Sequence, residues 1–201
     1  MTDSFLDKVY AARTAEETRA VYDAWSKSYE AEVAENGYAT PGRCAAALHA
    51  IMADTNAPIL DFGCGTGLSG LALRLAGFTV IDGLDLSPDM LAIARDKGLY
   101  RDLSQTQAND PLPRGYAAIA AIGVIGAGAA PLAVLDRIID ALEPGGFTVF
   151  SFNDHTLEDP SYQARVEALM ADGTVTERFR EHGPHLPGRD LNATVYVLEK
   201  N

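Results

Sequence analysis

Apolar positions along the chain fall into short runs that alternate with helical stripes. Val21, Trp25, Tyr29 and Val33 recur at every fourth residue behind the capping-box spacing of Thr14-Ala15-Glu16-Glu17, which predicts an amphipathic N-terminal helix. A turn over 38–42 leads into a second helix over 44–52, and Pro58-Ile59-Leu60-Asp61-Phe62 reads as a strand that runs into glycines. A helix over 68–76 stops at Gly77 and a strand over 79–86 follows. Ser87-Pro88 then supply an N-cap and a first-turn proline for a helix that ends at Gly98. The pattern continues with a third strand over 99–103, a fourth over 116–122, a helix over 132–142 and a fifth strand over 147–152.

Strands that trade places with helices in this way predict an α/β fold with a parallel sheet and crossover helices. Asp159-Pro160 opens a further helix, after which strands over 175–180 and 193–198 are joined by a short loop, so that this last pair is expected to be antiparallel. A length of 201 residues suits one domain, and no repeat or low-complexity block divides it. The stretch 115–135 carries no charge and is long enough to span a bilayer, but Gly123, Gly126, Gly128 and Pro131 interrupt an Ala-rich run. A buried strand followed by a loop explains it, and no membrane partner is expected.

Composition narrows the partners. A formal charge of −12 repels a polyanion, so nucleic acid is disfavoured as a substrate. Only Cys44 and Cys64 are present, and Met1-Thr2-Asp3-Ser4 lacks a basic, apolar leader, which points to a reducing cytoplasm. Neither composition nor spacing sets the oligomeric state, and no residue cluster calls for a metal.

The chemistry gathers at Asp61-Phe62-Gly63-Cys64-Gly65-Thr66-Gly67. Glycines between a strand and a helix let backbone amides and the helix N-terminus approach a ligand closely. About twenty residues further on, the next strand ends at Asp85, where a carboxylate can accept both hydroxyls of a ribose. Gly65 to Gly70 also satisfies GxGxxG, so a nicotinamide dinucleotide is the rival ligand. Asp61 favours a cationic ammonium over a pyrophosphate. Tyr196 and Lys200 match YxxxK by letters but lie on a terminal strand, where a Tyr–Lys catalytic pair lacks its helical spacing.

Ile59 to Gly67 resembles motif I of the class I S-adenosylmethionine-dependent methyltransferases, Gly83 to Leu91 their second motif, and Leu142-Glu143-Pro144-Gly145-Gly146 the turn before their fifth strand. The segment Tyr22 to Tyr29, with Gly37-Tyr38 and Pro41, is similar to the methyltransferase-like subfamily named for the Williams-Beuren syndrome region. The resemblance implies a Rossmann-like three-layer sandwich whose seven-stranded, mostly parallel sheet has an antiparallel last strand. It also implies a helical lid over 1–53, a cofactor-binding core over 54–154 and a C-terminal helix and strand pair over 155–201.

Carried over by position, Asp61, Gly63, Gly65 and Gly67 would hold the methionine end of S-adenosylmethionine, Asp85 its ribose and Leu86 its adenine. Asp102, before Leu103, matches the family carboxylate that accepts the adenine amino group, and the product would be S-adenosylhomocysteine. Tyr116-Ala117 stands where many relatives open the fourth strand with Phe-Asp. Trp25 and Tyr29 would close over the cofactor, with Tyr22 beside the substrate. Arg43 reads as an exposed helix-start arginine rather than a partner of the methionine carboxylate.

His155, His182 and His185 are placed near the carboxyl edge of the sheet as substrate candidates, with His155 the candidate general base. Cys64 reads as small-residue packing. Ile122-Gly123-Val124-Ile125 replaces any Asn/Asp-Pro-Pro-Tyr motif, which leaves a small molecule as the acceptor class. Two other readings stay open: a non-catalytic S-adenosylmethionine-binding module, and an NAD(P)-dependent oxidoreductase.

Overall fold

A computed structural model describes residues 29–126 and 129–201. Strands β1 (Ile59–Phe62), β2 (Ile81–Asp85), β3 (Asp102–Gln105), β4 (Ala118–Ala121), β5 (Phe147–Asn153), β6 (Val175–Leu186) and β7 (Leu191–Lys200) form one seven-stranded sheet in the order β3-β2-β1-β4-β5-β7-β6. β1 to β5 pair in parallel, while β7 runs antiparallel to both β5 and β6. The expected Rossmann-like topology is therefore the one observed.

Helices cover both faces, which is why the central strands are apolar on both sides. Along β7, Val195 and Val197 join one core, which also holds Leu48 of α2 (Thr40–Ile51) and Leu73 of α3 (Leu68–Leu75). Tyr196 and Leu198 point the other way, into the core with Leu135 and Ile138 of α5 (Ala133–Ala141) and Val166 and Leu169 of α7 (Pro160–Ala171). Period-two alternation thus feeds two separate cores. The second helix starts at Thr40 with Pro41 in its first turn, where the missing N–H is harmless. It lies in the stretch expected as a lid, yet its Cys44, Ala45, Ala47 and Leu48 are buried against the sheet.

α4 (Pro88–Asp96) begins as its sequence predicts, with the Ser87 side chain accepting from Met90 N at 3.2 Å. α7 does likewise, with Asp159 accepting from Ser161 N. α1 (Tyr29–Glu35) precedes α2, and a one-turn helix α6 (Asp154–Leu157), which the pattern does not predict, follows β5. The uncharged stretch 115–135 divides into β4, a turn and the start of α5, and among the described residues no helix is long and apolar enough to cross a membrane.

The second helix begins at Thr40, inside the expected turn over 38–42, and two strands are also placed differently. β3 occupies 102–105 rather than 99–103, because Leu99 and Tyr100 are apolar for another reason: Tyr100 packs inward beneath α3. As an edge strand β3 is solvated, with Asp102, Ser104 and Gln105 exposed, so it carries no hydrophobic signature. β6 runs on to Leu186, through Gly183 and Pro184, which the sequence suggests as a turn. At a sheet edge a proline forfeits no ladder hydrogen bond, and the strand absorbs it at a register shift between Pro184 and Leu186. His182 and His185 therefore stand on a strand and not in the loop between the last two strands.

Candidate functional site

The carboxyl ends of β3, β2, β1 and β4 line up along one edge of the sheet, and a crevice opens there. Such an edge, at a reversal of strand order, is where open α/β sheets bind ligands. The floor is the loop after β1. Gly63, Gly65 and Gly67 have φ of 71°, 53° and 95°, values that side chains with a Cβ rarely adopt. Gly67 is the residue that caps α3, so the loop delivers the helix N-terminus to the crevice.

Asp85, twenty residues on, closes the loop from the next strand. Its Oδ2 accepts from Gly65 N at 2.8 Å and its Oδ1 from Ser87 N at 2.9 Å. An ionised carboxylate is purely an acceptor, with about four lone-pair sites, which is the chemistry that a ligand's hydroxyls need. No described residue lies within 4 Å of where a Cβ on Gly65 would stand, which leaves a cradle above the loop. Thr66 Oγ1, buried in the crevice wall, has no partner among the described residues.

Asp61 sits beneath this floor and does not line the crevice. Its Oδ2 accepts from Ser69 Oγ at 2.6 Å and from the Tyr100 hydroxyl at 2.7 Å, while Oδ1 is buried without a partner among the described residues. Burial raises its pKa to about 6, opposed by the Ser69 and Tyr100 hydrogen bonds and reinforced by the negative charge of Asp85. Two carboxylates that sense one another through the loop suit a cationic ligand and oppose a pyrophosphate. The residues present therefore fit an amino-acid nucleoside of positive charge.

The sequence-predicted residues divide. Gly63, Gly65, Asp85 and Leu86 line the crevice together. Asp102 and Leu103 do not: parallel register sets Asp102 level with Asp82, and it is Gln105 that stands level with Asp85. Asp102 is therefore at the wrong end of its strand, exposed, accepting from Ser104 Oγ at 3.0 Å. What reaches the crevice from β3 is Thr106 and Ala108, with Met90 beside them from α4. Residues immediately after a strand's carboxyl end are the signal for Thr106 and Ala108, once that end is correctly placed.

His155, His182 and His185 are absent from the crevice lining. His155 Nδ1 lies 3.5 Å from Glu158, and His182 Nε2 lies 2.7 Å from Asp154 Oδ1. His185 is buried, its Nδ1 2.7 Å from Thr40 Oγ1, and burial lowers its basicity to about 4, so it is neutral at ordinary pH. It packs edge-on against Tyr38 at a centroid distance of 5.2 Å, and Tyr38 does line the crevice. Arg43 is engaged structurally, donating to the carbonyls of Glu181, Pro184 and Ala193.

Cys64 lines the crevice, but burial raises its thiol well above the usual range, so it is no thiolate nucleophile. Trp25 and Tyr22 lie outside the described residues, and of Tyr29 only its place at the start of α1 is described. Tyr196 is fully buried and stacks on Phe150 at 5.1 Å, whereas Lys200 donates to Leu142 O at 2.6 Å. No Tyr–Lys catalytic pair exists there.

A family model described as "Methyltransferase domain" matches residues 37–195. The chain is 32% identical over 155 residues to Methyltransferase-like protein 27 of Homo sapiens, a match covering 74% of this chain and 62% of that protein. It thus spans less than two thirds of that relative's length. Among solved structures, the [4+2]-cyclase SpnF is similar with a TM-score of 0.69 at 19% identity, over 94% of this chain and 97% of the other. Magnesium protoporphyrin IX methyltransferase of Synechocystis PCC 6803, with bound SAM, gives 0.60 at 12% identity, over 98% and 90%. At such identities the likeness is one of fold.

Proposed function

We propose, since the chain belongs to the class I S-adenosylmethionine-dependent methyltransferases, that it moves the methyl group of that cofactor onto a small organic acceptor. The observation that carries this reading is Asp85, a crevice-lining carboxylate at the end of β2 whose two oxygens accept from Gly65 N and Ser87 N and so hold it in place. In the proposed complex Asp85 accepts the ribose hydroxyls and Leu86 packs on the adenine, with Thr106 and Ala108 beside it. The amides at Gly63 to Gly67 and the α3 N-terminus receive the methionine carboxylate, and the Asp61 charge below the loop favours the ammonium.

S-adenosylmethionine supplies a methyl already activated on a sulfonium. What remains for the chain is to align the acceptor and exclude water. The apolar walls built by Phe62, Ile122, Val124 and Val134 suit that task. A net charge of −12 supports a small acceptor rather than RNA or DNA, and buried, unpaired Cys44 and Cys64 support a reducing compartment such as the cytoplasm.

Calorimetric titration with S-adenosylhomocysteine tests the site, and radiolabel transfer from S-adenosylmethionine tests turnover. Micromolar binding with label appearing in small metabolites is the expected result. Label in RNA alone would overturn the acceptor class, and binding without any transfer would favour a non-catalytic S-adenosylmethionine-binding module.

A further inference from the structure

The crevice is larger than its Asp85 end requires, and its other end has a distinct chemistry. Along the sheet edge, β3 and β2 contribute Thr106, Ala108, Asp85 and Leu86, β1 the glycine loop, and β4 the residues Ile122, Gly123 and Val124. A nucleoside held at β2 with its amino-acid portion over β1 directs its reactive group toward β4. The wall there comes from Ile122, Gly123, Val124, Ala130, Tyr38 and Pro41.

Among the described residues this chamber carries no charged side chain. Those ionisable side chains that line the crevice are Asp85, Cys64 and Tyr38, and the first two belong to the β1–β2 end. Behind Tyr38 the imidazole of His185 is buried and tied to Thr40 Oγ1, and the nearby Arg43 guanidinium is committed to the carbonyls of Glu181, Pro184 and Ala193. The Tyr38 hydroxyl reaches the chamber because residue 123 is a glycine: a Cβ at that position would overlap it. Val124 in turn packs where a Cβ on Gly63 would lie, which joins the chamber directly to the loop. A charged acceptor entering here would lose its hydration and find no counter-charge, whereas an apolar body with one polar group would lose little.

Resting on the methyltransferase reading above, we infer that the chamber between Tyr38 and the β4 end is the acceptor subsite. It takes an uncharged, apolar small molecule whose single polar group hydrogen-bonds the Tyr38 hydroxyl. Tyr38 and Gly123 are then its specificity determinants.

The test uses the full chain saturated with S-adenosylhomocysteine, whose own binding is measured first. Failure at that step would sink the methyltransferase reading and not this one. Para-ethylphenol, para-ethylbenzoate and para-ethylbenzylamine, alike in apolar body and different in charge, are then titrated by calorimetry. The phenol is expected to bind at least about tenfold tighter than either ion. Tyr38→Phe should weaken the phenol about tenfold while moving the S-adenosylhomocysteine Kd far less, and Gly123→Ala should abolish phenol binding. A charged probe that binds as well as the phenol, an unchanged phenol Kd in Tyr38→Phe, or no binding of any probe to the saturated protein would each overturn the assignment.

Discussion

Tyr100 donates its hydroxyl to Asp61 Oδ2 at 2.7 Å directly under α3, and the Tyr100 hydroxyl oxygen accepts from Gly70 N at 3.1 Å. This contact explains the third glycine of the GxGxxG spacing without any dinucleotide, because a Cβ on Gly70 would overlap the phenol. Gly70→Ala must therefore displace Tyr100 and strip Asp61 of a donor. A loss of about 1–3 kcal/mol is expected by urea unfolding. In a Tyr100→Ala background the same substitution should cost less, since the ring it would displace is already gone, and additive losses in the double-mutant cycle would contradict the packing account.

Asp61 and His185 make opposite contributions to the pH dependence of stability. Burial raises the folded Asp61 carboxyl from 3.8 to about 6, so its stabilising effect is full below 3.8 and is lost as pH rises through 6. Burial lowers the folded His185 from 6.5 to about 4, so its effect is full above 6.5 and is lost as pH falls through 4. Each is worth at most roughly 3 kcal/mol, and in the wild type the two largely mask each other. Unfolding free energies at acid and neutral pH should separate them. Relative to wild type, Asp61→Asn gains stability as pH rises across this window and His185→Gln loses it, and parallel profiles for the two variants would refute the assignment.

The sequence made the β1–loop–β2 unit legible because one apolar run, alternate glycines and a strand-end acid all occur locally at 59–67 and 81–85. β3 is not legible, since an exposed edge strand of Asp102, Ser104 and Gln105 has no hydrophobic period, and the apolar Tyr100 beside it packs under α3. With β3 at 102–105, Asp102 stands at its amino end, away from the crevice. β6 was truncated for a related reason: Gly183 and Pro184 are turn residues by local chemistry and become strand residues only because β7 pairs with them. Tyr38, Val124 and Met90 reach the crevice from separate elements, and no spacing in the chain announces that convergence.

Asp85 has two tasks that one substitution can separate. Besides the proposed ribose contact, it fastens Gly65 N and Ser87 N. Asp85→Ala is expected to lower S-adenosylhomocysteine affinity by about a hundredfold and stability by only about 1–2 kcal/mol, because a partly exposed carboxylate is lost and no core packing is. Calorimetry and urea unfolding on the same preparation report the two effects. Full affinity in the variant would remove Asp85 from the binding site.

Arg43 distinguishes a structural clamp from a ligand contact. From the first turn of α2 it donates through Nη1 to Pro184 O at 3.1 Å and Ala193 O at 2.9 Å, and through Nη2 to Glu181 O at 2.9 Å and Glu181 Oε1 at 3.1 Å. A planar fork is what allows one side chain to span both β6 and β7, and a lysine ammonium lacks that reach. Arg43→Met, which keeps the apolar stem, should cost about 1–3 kcal/mol of stability, with Arg43→Lys recovering little of it. Neither should change S-adenosylhomocysteine affinity, since the guanidinium is committed to the hairpin. The reverse result, with affinity lost and the urea midpoint unmoved, would return Arg43 to the role of methionine-carboxylate partner and require the hairpin contacts to open on binding.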